Sequence, residues 1–309
     1  MGRSDPVAAI DCGTNSTRLL VAGPNRETLD RRMRITRLGQ GVDLDRRLAP
    51  GAIERTVSVL REYRAVMESH GVERVRMTAT SAARDATNRE EFFEAATVAI
   101  GTRPELLAGE EEGRLSFLGA TAELDPASAP WLVADIGGGS TELVVGPGTD
   151  GRPVAIRSLD VGCVRLTERF LTSDPPSPRD LAAARAYVAE LLGEVTSGEA
   201  AFGEVATLVG LAGTVAALAA IDQRLTTYDR SRIHHYVLTR GAIEAMLSAL
   251  AGETTADRRA RPGIEHERAD VIVGGTVVLA ELMRHFELGV CLTSEADLLD
   301  GLVSSLVDE

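Results

Sequence analysis

The 309-residue chain is 44% hydrophobic and 26% charged, an ordinary globular balance with length for two domains, each with its own core. A formal net charge of −13 argues against a general nucleic-acid binder, and no apolar run reaches the ~18 residues of a membrane span. All 33 basic residues are arginine, and three dispersed cysteines, Cys12, Cys163 and Cys291, fit a reducing cytoplasm rather than a disulfide framework.

The polar segment Met1 to Pro6 runs straight into a strand-like stretch and reads as no signal peptide. Val7 to Val21 (VAAIDCGTNSTRLLV) is an apolar run ending in Asp11, a small-residue turn and a second apolar run, the pattern of a two-strand hairpin. Arg31, Arg32, Arg34 and Arg37, then Arg46 and Arg47, read either as a track for a polyanion or as a solvated face. Ala52 to His70 carries Ile53, Val57, Leu60 and Val66 at helical spacing, with Gly71 as its stop. Val72 to Thr80 alternates as a strand. Asn88 is placed to cap a helix through Phe92, Phe93 and Val98 that ends at Gly101. Pro104 to Ala108 is a short strand, Glu110-Glu111-Glu112 an acidic turn, and Gly113 to Ala122 a helix. Glu123 to Pro130 reads as a linker.

Leu132 to Gly146 (LVADIGGGSTELVVG) repeats the opening pattern. Its second half, Thr141 to Val145, is short, β-branched and bounded by Gly146-Pro147, so it predicts a strand where a dinucleotide or P-loop site would have a helix. Val154 to Val161 continues that sheet. Ser177, Pro178 and Asp180 open a helix as N-cap, N1 and N3. Leu208 to Thr214 is a strand and small-residue turn before a helix from Val215 to Asp222; Gly210 to Thr214 either touches a nucleotide or packs helix on strand. His234 and His235 are adjacent, so their side chains are expected to point apart and make a poor metal pair. Ala269 to Glu287 is a long apolar helix, Leu288 to Thr293 a strand, and Glu295 to Val307 a final helix. Strands and helices alternate in both halves, which predicts an α/β protein of two similarly built lobes.

The two hairpin turns carry the chemistry. Asp11 with Gly13, Thr14, Asn15 and Ser16, and Asp135 with Gly137, Gly138, Gly139, Ser140 and Thr141, each set a carboxylate at a strand end beside small residues. Glycines let backbone N–H groups approach a phosphate, hydroxyls add donors, and the aspartates suit a divalent cation. Two such turns half a chain apart point to paired lobes that hold one phosphate chain. Cys12, inside the first turn, reads as a small buried hydrophobe.

These motifs resemble the exopolyphosphatase / guanosine-pentaphosphate phosphohydrolase (Ppx/GppA) family nearly end to end. The resemblance rests on AIDCGTNSTRLLVA at Ala9–Ala22, ATSAARDATN at Ala79–Asn88, AGEEEGRLSFLGA at Ala108–Ala120 and ADIGGGSTELV at Ala134–Val144. It continues in DVGCVRLTERF at Asp160–Phe170, GLAGTVAAL at Gly210–Leu218 and LTSEADLLDGLV at Leu292–Val303. It implies two actin-like (ribonuclease H-like) ATPase-superfold lobes with an interdomain cleft. The first would span 1–123, joined by the C-terminal helix 295–309, and the second 124–294. It further implies Glu112 as the glutamate that activates water and Glu142 as a second essential acid. Asp135, Glu142 and Asp11 would hold Mg²⁺ or Mn²⁺, and Arg84 would contact substrate phosphate. Gly113 and Cys12 depart from the alanine and the aliphatic residue common at those positions.

The implied activity is metal-dependent release of orthophosphate from the end of inorganic polyphosphate by a cytoplasmic homodimer. Neither nucleic acid nor a membrane is an expected partner. Removal of the 5′-phosphate of guanosine pentaphosphate (pppGpp), phosphoryl transfer from ATP to a small acceptor, and binding of polyphosphate or nucleotide without turnover are the alternatives.

Overall fold

The computed structural model describes residues 5–146, 152–205 and 207–308; Pro147 of the expected strand boundary lies outside them. The chain divides into two compact units, Met1–Gly119 with Leu298–Glu309, and Ala120–Asp297.

In the first unit the opening apolar runs become β1 (Val7–Cys12) and β2 (Ser16–Ala22), antiparallel, with β3 (Thr28–Ile35) antiparallel to β2. β4 (Arg74–Ala79) and β5 (Glu105–Leu106) add in parallel, giving the order β3-β2-β1-β4-β5. β1 is buried along its whole length because both sheet faces are covered. Ala8, Ile10 and Cys12 pack with Tyr63 and Phe92, while Val7 and Ala9 pack with Leu115, Leu298 and Leu302. The period of two along one strand thus divides its side chains between two cores. Short helix α1 (Val42–Asp45) precedes α2 (Pro50–Ser69), which starts on Pro50 at N1 and stops before Gly71 at φ +66. α3 (Ser81–Asp85), α4 (Arg89–Ile100) and α5 (Gly109–Thr121) follow.

The second unit builds β6 (Trp131–Ile136), β7 (Thr141–Gly146) and β8 (Ala155–Leu159) as antiparallel neighbours. β9 (Thr207–Leu211) lies parallel to β6, β11 (Val290–Thr293) parallel to β9, and β10 (Val237–Thr239) is an antiparallel edge. The run β8-β7-β6-β9-β11 therefore repeats the strand order of the first sheet, the ribonuclease H-like arrangement of an actin-like lobe. Its helices are α6 (Cys163–Phe170), α7 (Pro178–Gly198), α8 (Ala212–Asp222), α9 (Arg230–Ile233), α10 (Arg240–Ala251), α11 (Thr255–Ala260) and α12 (Ile272–His285). α12 is buried from Ile272 to Met283, and its Gly274 lets α6 approach: a Cβ there would lie 2.7 Å from the Cys163 carbonyl oxygen. α13 (Leu298–Asp308) closes the chain in the first unit.

Several local expectations change. The glutamate run is not a turn before a helix but the first turn of α5, where acids suit the positive end of the helix dipole. Asn88 occupies the N-cap position of α4, yet its side chain bonds Leu48 on both sides, accepting from the N–H at 2.8 Å and donating to the carbonyl at 3.1 Å. α8 starts at Ala212, with φ +68, without an intervening turn. α12 begins three residues later than expected, at Ile272, and α13 at Leu298, because Ser294 holds Ala296 in a loop through both its N–H and its carbonyl. His234 and His235 do not point apart. Their rings stack with centroids 3.8 Å apart because His235 takes φ +62, which swings adjacent side chains to one side.

Among the described residues no helix is long and apolar enough to cross a membrane. The cysteines are free and buried. Burial first, then Asp11, pushes the Cys12 thiol well up; burial raises Cys163 and carries Cys291 up to about 12. Native protein at about pH 8 should therefore show none of the three thiols to a disulfide reagent, and all three after unfolding. In the C-terminal helix, a Cβ on Gly301 would stand 2.1 Å from the Leu115 carbonyl oxygen. Gly301→Ala should thus lose about 1–3 kcal/mol, read as an earlier denaturation midpoint.

Candidate active site

The two hairpin turns are built alike. Each is closed by the glycine two residues after the aspartate: Gly13 N–H donates to Ser16 O at 2.9 Å and Gly137 N–H to Ser140 O at 3.0 Å. In each, the turn carbonyls are taken up by a following segment. Asn15 O accepts from the N–H groups of Thr36 and Arg37 at 3.1 and 2.9 Å, and Thr14 O from Gly39 at 2.8 Å. In the second unit the N-terminus of α6 does this work. Cys163 N–H reaches Gly137 O and Val164 N–H reaches Gly138 O, both at 2.9 Å, and the Arg165 Nε donates to Gly139 O at 2.6 Å. Gly162 is needed for that approach, since a Cβ would lie 2.6 Å from the Gly137 and Gly138 carbonyl oxygens. With the carbonyls bound, the N–H groups of Thr14, Asn15, Gly138 and Gly139 make no hydrogen bond among the described residues. Successive free N–H donors at a glycine turn suit an anion.

The units differ in what stands across from the aspartate. Directly opposite residues of an antiparallel pair share a face. Asp11 pairs in register with Arg18, whose Nε and Nη2 donate to its Oδ2 at 3.0 and 2.8 Å, so the first site carries a closed ion pair. Asp135 pairs in register with Glu142, and both carboxylates are buried, 6% and 1% exposed. Ser158, opposite Glu142 on β8, donates to its Oε1 at 2.8 Å. Like charges facing each other on a sheet are destabilising, and a hard divalent cation taking one or two carboxylates would relieve them. The oxygen-only donor pair fits Mg²⁺ or Mn²⁺. Among the described residues no three His, Cys, Asp or Glu side chains converge as a metal centre, so such an ion would complete its shell with water and substrate oxygens.

The helical setting separates the three glutamates of α5. Glu110 is exposed. Glu111 is half-buried and bonded to Arg114 at 2.7 Å, which holds its carboxyl below the usual range. Glu112 is buried, and its Oε2 accepts from Arg84 Nη1 at 2.6 Å while the same nitrogen donates to Leu107 O at 3.0 Å. Arg84, expected to meet phosphate, is thus also the group that orients Glu112. A guanidinium has five donors, which leaves capacity for both.

The first unit brings together Asp11, Gly13, Thr14, Asn15 and Ser16 in one turn, and pairs Arg84 with Glu112; the second brings Asp135, the turn 137–140 and Glu142 together. Thr141, expected to bind phosphate, spends its hydroxyl on Val161 O at 2.6 Å and is fully buried. Arg18, Ser158 and Arg165 were not singled out from the sequence. Superposing the two repeats residue by residue would have found Arg18, which stands seven residues after Asp11 as Glu142 does after Asp135. Ser158 has no such signal, because only strand register delivers it.

The Ppx/GppA phosphatase family model matches residues 21–309. The chain is 44% identical to the Mycobacterium tuberculosis protein named Exopolyphosphatase 2, over 97% of this chain and 98% of that one. It is 31% identical to the bifunctional 3-dehydroquinate synthase/phosphatase of Fusobacterium nucleatum, over 96% of this chain and 46% of that one. Among solved structures, an exopolyphosphatase-like protein at 38% identity superposes with a TM-score of 0.94, covering 98% of this chain and 99% of that one. The Aquifex aeolicus member of the Ppx/GppA family, at 34% identity and 98% coverage of each chain, gives 0.82. The chain belongs to the Ppx/GppA phosphatase family.

Proposed function

We propose that this protein is an exopolyphosphatase, a hydrolase that removes the terminal phosphate of inorganic polyphosphate in the cytoplasm. The observation that carries the reading is a donor-rich glycine turn beside two buried carboxylates, Asp135 and Glu142, in a chain 44% identical to a protein named Exopolyphosphatase 2 along its length. Phosphoanhydride hydrolysis needs donors for phosphate oxygens, neutralisation of charge and a base for water. The N–H groups of Thr14, Asn15, Gly138 and Gly139, with Arg84, would bind phosphate oxygens. Asp135 and Glu142 would hold Mg²⁺ or Mn²⁺, which when bound supplies charge neutralisation. Asp11, already bonded to Arg18, would order its turn rather than ligate the ion. Glu112, steadied by Arg84, would accept a proton from the attacking water. The water oxygen bonds to the terminal phosphorus as the bridging P–O bond breaks, which yields orthophosphate and a chain one unit shorter.

The deciding experiment is orthophosphate release with Mg²⁺ from long-chain polyphosphate, guanosine pentaphosphate and ATP in parallel. Preferential release from polyphosphate is expected. Release from guanosine pentaphosphate alone would assign the alarmone activity, and binding without release from any of them would make the protein a sensor.

Glu112→Gln should lower kcat about 10²–10⁴-fold while KM moves little; a near wild-type rate would remove Glu112 from the base role. Ser158→Ala frees Glu142 from its donor and should weaken Mg²⁺ binding about 10-fold, measured calorimetrically without substrate. Unchanged binding would detach Glu142 from the ion.

A further inference from the structure

The arginine-rich stretch after the first turn does not behave as one surface. Arg31 pairs with Asp300, Arg32 with Asp30, Arg46 with Asp85 and Arg47 with Glu91. Arg34 and Arg55 have no carboxylate partner among the described residues. Both are exposed. In a chain with 46 acidic residues against 33 arginines, Arg34 and Arg55 thus hold only backbone carbonyls, of Met33 and Thr36.

Their place relative to the first turn gives them a direction. Asn15 is 6% exposed, and its Nδ2 has no hydrogen-bond partner among the described residues. A buried amide donor without an acceptor is destabilising unless a ligand supplies one. The Asn15 carbonyl is bonded to the N–H groups of Thr36 and Arg37, so that segment starts at the turn itself. Arg55, reaching from α2, donates its Nε to Thr36 O at 3.1 Å, which anchors the stem and leaves Nη1 and Nη2 for other acceptors. Arg34 stands two residues back from Thr36, about 7 Å along an extended chain, in register with Thr17. Its Nη1 touches only its own neighbour's carbonyl, Met33 O at 3.0 Å. Beyond Arg34 lies Arg32, already bonded to Asp30 and near Glu62. Outward from the neutral amide of Asn15, the guanidinium groups without a carboxylate are therefore Arg55 and Arg34.

We propose that Arg55 and Arg34, continuing outward from Asn15, form a short guanidinium track on the first unit that binds interior phosphate groups of a linear polyphosphate. The track rests on the exopolyphosphatase reading for its substrate, but not for its capacity to bind. Guanidinium groups bind phosphate oxygens in pairs, and a repeating anion can occupy several at once where a short one reaches only the turn. The track makes chain length a determinant of affinity and leaves the chemical step untouched.

The test is the double variant Arg34→Gln/Arg55→Gln, with Arg34→Gln alone as the variant that touches no structural bond beyond Met33. KM for long-chain polyphosphate should rise about 10-fold or more in the double variant, the equivalent of about 1.4 kcal/mol. KM for tripolyphosphate and both kcat values should stay within about twofold. Arg61→Gln, on the same helix as Arg55, removes the same single charge as Arg34→Gln alone but off the track, and should change neither KM. An equal rise for both substrates, or no rise for either, overturns the track. Anisotropy of end-labelled long-chain polyphosphate, titrated without turnover, separates the two readings. If wild type hydrolyses no polyphosphate, weaker binding by the double variant still supports the track, and unchanged binding overturns it.

Discussion

Asp135 and Glu142 face each other across one antiparallel strand pair, and both are almost wholly inside the protein. Two buried carboxylates side by side are tolerated only where charge and hydrogen bonds compensate them. The surroundings of the second sheet follow from that need. β8 brings Ser158 to Glu142, the glycine turn between β6 and β7 offers N–H donors, and α6 takes up the turn's carbonyls so that those donors remain free. Gly162 and Gly274 let α6 sit close enough to do so, the first against the turn and the second against α12.

The first sheet repeats the strand order but not the charge. Where the second unit has Glu142, the first has Arg18, and the neutral Asp11–Arg18 pair leaves that turn as a pure donor site. One scaffold thus yields two glycine turns of different electrostatic character, one beside a neutral ion pair and one beside two carboxylates. Glu112 belongs with the first: it sits one helical turn into α5, held by Arg84, on an element whose packing includes the C-terminal helix. A carboxylate on a helix that is braced by α13 is placed more tightly than one on a free loop.

The net charge of −13 poses a constraint for any polyanion-binding protein. Long-range steering would repel the substrate, so binding must come from local groups that are desolvated or fixed. The structure meets this by neutralising most arginines with neighbouring acids and leaving free donors near the turns. Backbone N–H groups carry no net charge to be screened, which suits them to this background.

Much of this was legible in the residues alone. The apolar run from Val7, the duplicated Asp-x-Gly turns, the helical spacing after Ala52 and the Ser177 start predict strands, hairpins and helices with physical reasons attached. Both hairpins, the α/β class and the candidate residues of the two turns come from local pattern, because hydrogen-bonding glycine turns and apolar periodicity act over a few residues, whereas the resemblance picks out Arg84, Glu112 and Glu142. What local pattern misses is contact at long separation. The stacking of His234 on His235, the Asn88 side chain turning to Leu48 and the late start of α13 all depend on partners distant in sequence or on a left-handed residue. The same holds for the site. Sequence and the family resemblance singled out Asp11, Asp135, Glu112 and Glu142 as candidates. Only tertiary structure decided that Asp11 is neutralised by Arg18, that Ser158 serves Glu142 and that Arg84 orients Glu112, because strand register and helix packing, not spacing along the chain, set which charges meet.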